Sequence, residues 1–135
     1  NDSMGGYVAT ETVKMMINKG ATIKGSKALV LGITFKENCP DIRNSRVIDI
    51  IAEFQSYHVD VDVYDPWASK DEVKHEYGIN LISDFDKLGA DYDAIILAVS
   101  HNEFLKLDIT KLKSQTGVIF DVKSLLPRDT VDARL

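Results

Sequence analysis

The chain contains one cysteine, Cys39, only three prolines, and no excess of basic residues among its 135 positions. A lone cysteine excludes an intramolecular disulfide framework. With no signal-peptide pattern in view, the expected compartment is a reducing cytoplasm. No apolar run approaches the roughly 20 residues that a membrane span needs. A formal net charge of −5 argues against a nucleic-acid surface, so an anionic ligand must be met by local cations. Glycine is sparse: eight residues, none set as GxGxxG or GxxxxGK[ST], the two turns that cradle a dinucleotide pyrophosphate or a nucleoside triphosphate. The histidines, His58, His75 and His101, are scattered, whereas zinc requires clustered ligands, so no metal site is expected.

What is present fits one globular domain: 44% hydrophobic and 27% charged residues in a chain of ordinary domain length. The opening segment places Met4, Tyr7, Val8, Thr12, Met15 and Met16 at helical spacing, with Val13 and Ile17 widening the stripe. Asp2 or Ser3 can cap this helix and Gly20 can end it, while Gly5 and Gly6 weaken its first turn. The chain enters this helix at once, without an initiator Met, so it is expected to be cut from something longer.

Beyond Gly20 the pattern alternates. "KALVLGI" and "YDAIILAVS" are continuous apolar runs suited to strands buried on both faces, and "HVDVDVYDP" alternates as a less covered strand does. "INLI" and "VIFDV" complete a set of five. Between them, "SRVIDIIAEFQS" puts Val47, Ile50, Ile51 and Phe54 on one helical face, and "SKDEVKHEYG" reads as a helix closed by Gly78. "SDFDKLGA", begun by a Ser cap, and "LDITKLKSQTG" also read as helices. This alternation predicts a doubly wound, Rossmann-like α/β fold: a parallel sheet of about five strands in the order 3-2-1-4-5, with helices on both faces.

In such a sheet, ligands bind beyond the carboxyl ends of the strands where the winding reverses. That point falls at the loop "GITFKENCPDIRNS" after the first strand. Phe35, Lys36 and Arg43 therefore stand where a ligand is expected. His101, Asn102 and Glu103 should line the opposite wall, with Asp121 to Ser124, including Lys123, beside them. Lys36 can give a charge-assisted hydrogen bond to an anionic or hydroxyl-rich ligand, and Arg43 can clamp a phosphate with two parallel N–H bonds. Either can equally be a solvated surface charge. Cys39 lies near both cations, but a catalytic thiol also needs a base, and only His101 could approach it; a structural or incidental role is favoured. Asp65 stands where dinucleotide folds bind a ribose, yet "YDP" also reads as a side-chain-closed turn, which is the preferred reading.

Taken together, "LGITFKENCPDIRNSRVIDI", "VDVYDPW", "AIILAVSHNEF" and "VIFDVKSLLP" resemble the C-terminal domain of the UDP-glucose/GDP-mannose dehydrogenase family, and within it the bacterial enzymes that oxidise UDP-N-acetylhexosamines. The resemblance implies a parent with an N-terminal NAD-binding domain and a central helical dimerisation domain, acting as a homodimer or higher oligomer. Residues 1–20 would be the end of the connecting helix, and 21–135 the domain that holds the UDP-sugar. It implies oxidation of the sugar C6 alcohol to a carboxylate with two NAD⁺, through a thiol-linked intermediate on a cysteine outside these residues.

By motif, Phe35 and Lys36 match the pair that contacts the nucleotide sugar, and Lys123 stands for a substrate-side arginine. Arg43 matches the arginine that reaches the NAD pyrophosphate. No catalytic residue lies in this chain on that reading. His101 and Lys123 depart from the glucose-type pattern, which favours an N-acetylamino sugar. The competing class is a non-catalytic flavodoxin-like signalling or ligand-binding module. It would need an acidic cluster after the first strand, where Lys36 and Glu37 stand instead.

Overall fold

A computed structural model describes residues 4–135; the expected caps Asp2 and Ser3 lie outside them. Among these residues the α-helices are α1 (Met4–Asn18), α2 (Val47–Ser56) and α3 (Lys70–Tyr77). The strands are β1 (Lys27–Leu31), β2 (Asp60–Tyr64), β3 (Tyr92–Leu97), β4 (Lys113–Asp121) and β5 (Ala133–Arg134). All pairings are parallel, in the order β2-β1-β3-β4-β5. The expected winding is retained, with two changes at the edges. "INLI" lies beside β2 as foreseen, but only as one bridge between Ile82 and Tyr64. The terminal pair Ala133–Arg134, which carries no strand pattern, extends the sheet beside β4.

β1 and β3 have every residue buried except Lys27 and the half-buried Asp93, as their unbroken apolar runs require. β2 buries only Val63 and Tyr64 fully, in keeping with its alternating acidic residues. One face of the sheet carries Ala28, Val30, Ala94, Ile96, Val118 and Phe120 against α1, α2 and Val73 of α3. The other carries Leu29, Leu31, Ile95, Leu97 and Ile119 beneath short 3-10 turns that contribute Phe85, Phe104 and Ile109. Both faces are thus covered by helical segments, but the second only by 3-10 helices of 3 to 5 residues. "SDFDKLGA" and "LDITKLKSQTG" do not become α-helices: they shorten to the turns Phe85–Lys87 and Ile109–Lys111, and β4 already begins at Lys113. Neither segment offers a second helical turn of apolar residues to bury, and isolated short helices do not hold in water. The cap of the first turn is Asp84, whose side chain accepts from Asp86 N–H, not the preceding serine.

Tyr92 pins the amino-end side of the sheet. Its hydroxyl donates to Asp62 Oδ2 at 2.7 Å and accepts from Gly89 N–H at 3.2 Å. Burial, followed by the Asp62 carboxylate, pushes this phenol up to about 12.

α1 packs on α2 with a face rotated from the expected stripe. Gly5, Val8, Ala9, Thr12, Val13 and Met16 are buried, while Met4, Tyr7 and Ile17 are exposed. Gly5 explains the rotation. A Cβ at this position would lie 2.5 Å from Asp49 Cβ and 3.0 Å from Asp49 backbone carbon. The glycine therefore admits α2 to close contact; it is a packing site and not merely a weak helix start. Gly20 ends the helix in a left-handed conformation at φ 88°, as its position predicts. A Gly5→Ala substitution gains helix propensity yet forces the two backbones apart. It is expected to lower unfolding stability by about 2 kcal/mol, measured by urea denaturation.

Candidate functional site

The loop after β1 begins at Gly32, whose φ of 97° and absent side chain let the chain turn against Val99. A Cβ there would come within 2.6 Å of Val99 Cβ. From Gly32 the loop runs over the carboxyl ends of β2 and β3, and two buried side chains from those ends hold it. Asp65, just past β2, is fully buried. Its Oδ2 accepts the backbone N–H of Ile33 at 2.7 Å and of Thr34 at 3.3 Å, while Oδ1 accepts those of Trp67 at 2.7 Å and Ala68 at 3.1 Å. The turn reading of "YDP" is thus correct for one carboxylate oxygen. The other oxygen serves the loop.

His101, past β3, is also fully buried. Its Nε2 lies 3.0 Å from Asp65 Oδ2 and 3.1 Å from Thr34 Oγ1, and its Nδ1 accepts Asn38 N–H at 2.9 Å. The Trp67 ring stacks on the imidazole with centroids 6.1 Å apart, and Phe104 packs at 5.4 Å. Asn102 N–H donates to Asn38 Oδ1 at 2.9 Å, and Trp67 Nε1 donates to Glu103 Oε1 at 2.9 Å. His101 therefore does not line an open wall, as expected from sequence; it sits behind the loop. Because both its ring nitrogens are occupied by Asn38, Thr34 and Asp65, it offers no base to the half-buried Cys39. Burial by itself would raise the Asp65 carboxyl, but the His101 hydrogen bond and the N–H donors of Ile33 and Trp67 outweigh it and hold the group below the usual carboxylate range.

Two clefts flank this loop. The smaller, about 150 Å³, opens at the winding reversal between β1 and β3 and is lined by Phe35, Arg46, Val99 and Lys123, with Met4 of α1 at its edge. Phe35 and Lys123, 88 positions apart, are thereby brought together as the switch-point argument requires. Lys36 follows Phe35 and is exposed. The larger cleft, about 600 Å³, lies on the other side, between the loop and α3, and includes Arg43, Trp67, Glu72 and His75. Arg43 stands there in solvent, its Nε and Nη2 on the two oxygens of Asp41 at 3.0 and 3.1 Å. That hydrogen bond lowers Asp41 and raises Arg43. α2 begins at Val47, so Arg43 stands in the loop before it. Of the four cation and aromatic positions singled out from sequence, Phe35 and Lys123 line the smaller cleft and Arg43 the larger, while Lys36 lines neither.

A model of the UDP-glucose/GDP-mannose dehydrogenase family, UDP binding domain, matches residues 29–128. The chain belongs to this family. It is 46% identical over its whole length to the UDP-N-acetyl-D-glucosamine 6-dehydrogenases of Salmonella typhi and Pseudomonas aeruginosa, of which it spans 32%. Among solved structures it resembles the UDP-N-acetyl-mannosamine dehydrogenase of Staphylococcus aureus, with 28% identity and a TM-score of 0.73 over 99% of this chain and 31% of that one. The fold also matches the NDP-N-acetyl-D-galactosaminuronic acid dehydrogenase of Methanosarcina mazei, with a TM-score of 0.81 at 22% identity over 93% of this chain and 26% of the other. The chain thus spans about a third of the length of the curated relatives it matches.

Sequence reasoning overlooked the Asp65–His101 pair as the loop's anchor. Its only trace was positional: both residues follow strands that flank β1. Asp65→Asn puts an amide N–H against backbone donors. It is expected to destabilise the protein by about 3 kcal/mol in thermal or urea unfolding. Since the folded carboxyl is held below its unfolded value, the stability it contributes is present above about pH 4 and falls away as acid protonates it in the folded state. Asp65→Asn should flatten this acid limb of the stability–pH curve.

Proposed function

We propose that this chain is the nucleotide-sugar-binding domain of an NAD-dependent UDP-sugar 6-dehydrogenase, with residues 1–20 as the end of a connecting helix and 21–135 as the UDP-binding unit. The observation that carries the reading is the cleft at the winding reversal, which, but for Met4 at its edge, lies within the stretch matched to the UDP binding domain and is lined by both Phe35 and Lys123. Its volume of about 150 Å³ is below the several hundred Å³ that enclose a ligand of this size, so the chain supplies one wall and the rest of the parent the others. Phe35 offers a hydrophobic face. Lys123 and the neighbouring Lys36 offer ammonium groups to the diphosphate or sugar hydroxyls.

Its 46% identity to UDP-N-acetyl-D-glucosamine 6-dehydrogenases favours an N-acetylamino sugar as substrate. The fit to NAD is partial. No glycine-rich pyrophosphate turn occurs in the chain, and the Arg43 fork is engaged by Asp41. Arg43 can approach a cofactor only from the outer side of the loop, with NAD held mainly by another domain. NAD, when bound, supplies the hydride acceptor; the residues of this chain bind and orient the substrate. The thiol that forms the covalent intermediate belongs to the remaining length of the parent, since Cys39 has no base beside it. The parent is read as a cytoplasmic homodimer or higher oligomer.

Calorimetric titration with UDP tests the binding claim. Weak but saturable uptake is expected, with Lys36→Ala and Lys123→Ala each lowering affinity by about tenfold. No heat of binding at millimolar UDP would remove the claim that this domain binds nucleotide on its own.

A further inference from the structure

The hydrogen bonds around His101 determine where its proton is. A backbone N–H can only donate, so the ring nitrogen that receives Asn38 N–H, Nδ1, must carry a free lone pair. The proton of the neutral ring is then on Nε2, which faces the Asp65 carboxylate at 3.0 Å. Thr34 agrees with this assignment. Its hydroxyl donates to Lys36 C=O at 2.9 Å, leaving Oγ1 an acceptor towards the same Nε2–H at 3.1 Å. A doubly protonated ring would set Nδ1–H against Asn38 N–H. Trp67 stacks on the ring and Phe104 packs against it at a tilt, and the ring is closed to solvent.

Asn38 itself has a left-handed backbone, φ 53°, a conformation that asparagine adopts more readily than other residues with a side chain. Here its N–H is bound by His101 and its Oδ1 by Asn102 N–H.

We propose that His101 is the positioning residue of the ligand loop: as the Nε2–H tautomer it transmits the fixed position of Asp65 through the ring to Asn38, and so sets where Phe35 and Lys36 stand. The consequence for nucleotide binding rests on the function proposed above; the latch itself does not. The ring itself lines neither cleft; it lies buried behind the loop. Its role is to choose one loop shape from the many that so long a polar segment could adopt.

The test combines nitrogen NMR of the His101 ring with hydrogen exchange at the Asn38 amide, in the unaltered protein and in His101→Phe and His101→Asn. Near neutral pH the ring should report an unprotonated Nδ1 and a protonated Nε2. Phenylalanine keeps the packing between Trp67 and Phe104 but accepts nothing, so Asn38 exchange should quicken by about tenfold or more and UDP affinity should fall by a similar factor. Asparagine can offer its Oδ1 where Nδ1 stood and should recover most of the Asn38 protection. A protonated Nδ1 in the unaltered protein, or Asn38 exchange in His101→Phe within about twofold of the unaltered protein, would overturn the proposal. Should His101→Phe not fold, the ring signature of the unaltered protein decides alone. If the unaltered protein takes up no UDP, the nucleotide reading fails while the ring signature and Asn38 exchange still decide the latch.

Discussion

The Asp65 carboxylate is the constraint on which the loop and both of its clefts depend. Four backbone N–H groups and the His101 ring converge on its two oxygens in a site without water access. Burying a carboxylate is costly unless its lone pairs are filled, and here they are filled by groups from three separate chain segments. The turn after β2, the start of the loop after β1 and His101 in the segment past β3 are thereby fixed relative to one another. β1 lies between β2 and β3 in the sheet, so the anchor spans the three strands whose carboxyl ends define the site.

From this anchor the loop is shaped outward. Asp65 holds Ile33 and Thr34, His101 holds Asn38, and Phe35 N–H closes the neck on Asp41 C=O at 2.7 Å. Tyr77 of α3 donates its hydroxyl to Ile42 C=O at 2.6 Å, tying the far side of the loop to the next layer. What remains exposed is the part available to ligands: Phe35 and Lys36 near the cleft at the winding reversal, and Arg43 beside the larger one. A rigid, fully bonded base under a few exposed side chains is the arrangement that lets a loop bind without a large ordering cost.

Phe35 and Lys123 stand at one cleft beside the loop and Arg43 at the other. One side of the loop meets a small, partly apolar cleft and the other a broad, open one, so two ligands or a ligand and a neighbouring domain can approach without competing. Asp41 engages the Arg43 guanidinium through both carboxylate oxygens while the side chain stays in solvent. In a chain of net charge −5, such local placement of cations, not overall charge, decides where an anion can settle.

The strands, their parallel order and the position of the long loop after β1 were legible because they follow from apolar runs, helical spacing and the winding rule. These act over a few residues at a time. The same local signals misplaced Phe85–Lys87 and Ile109–Lys111 as helices, since nothing nearby revealed that only single turns would find cover. They also turned α1 by a fraction of a turn, because the close approach of Gly5 to Asp49 depends on α2. Asp65 could be read as a turn residue, and His101 as a wall of the site. By itself the sequence determined which residue types stand at the carboxyl ends of the strands. Only the tertiary structure decided that two of them, 36 positions apart, would meet beneath the loop. The reason is physical: a buried carboxylate selects its partners by geometry in three dimensions, and no local pattern along the chain records that choice.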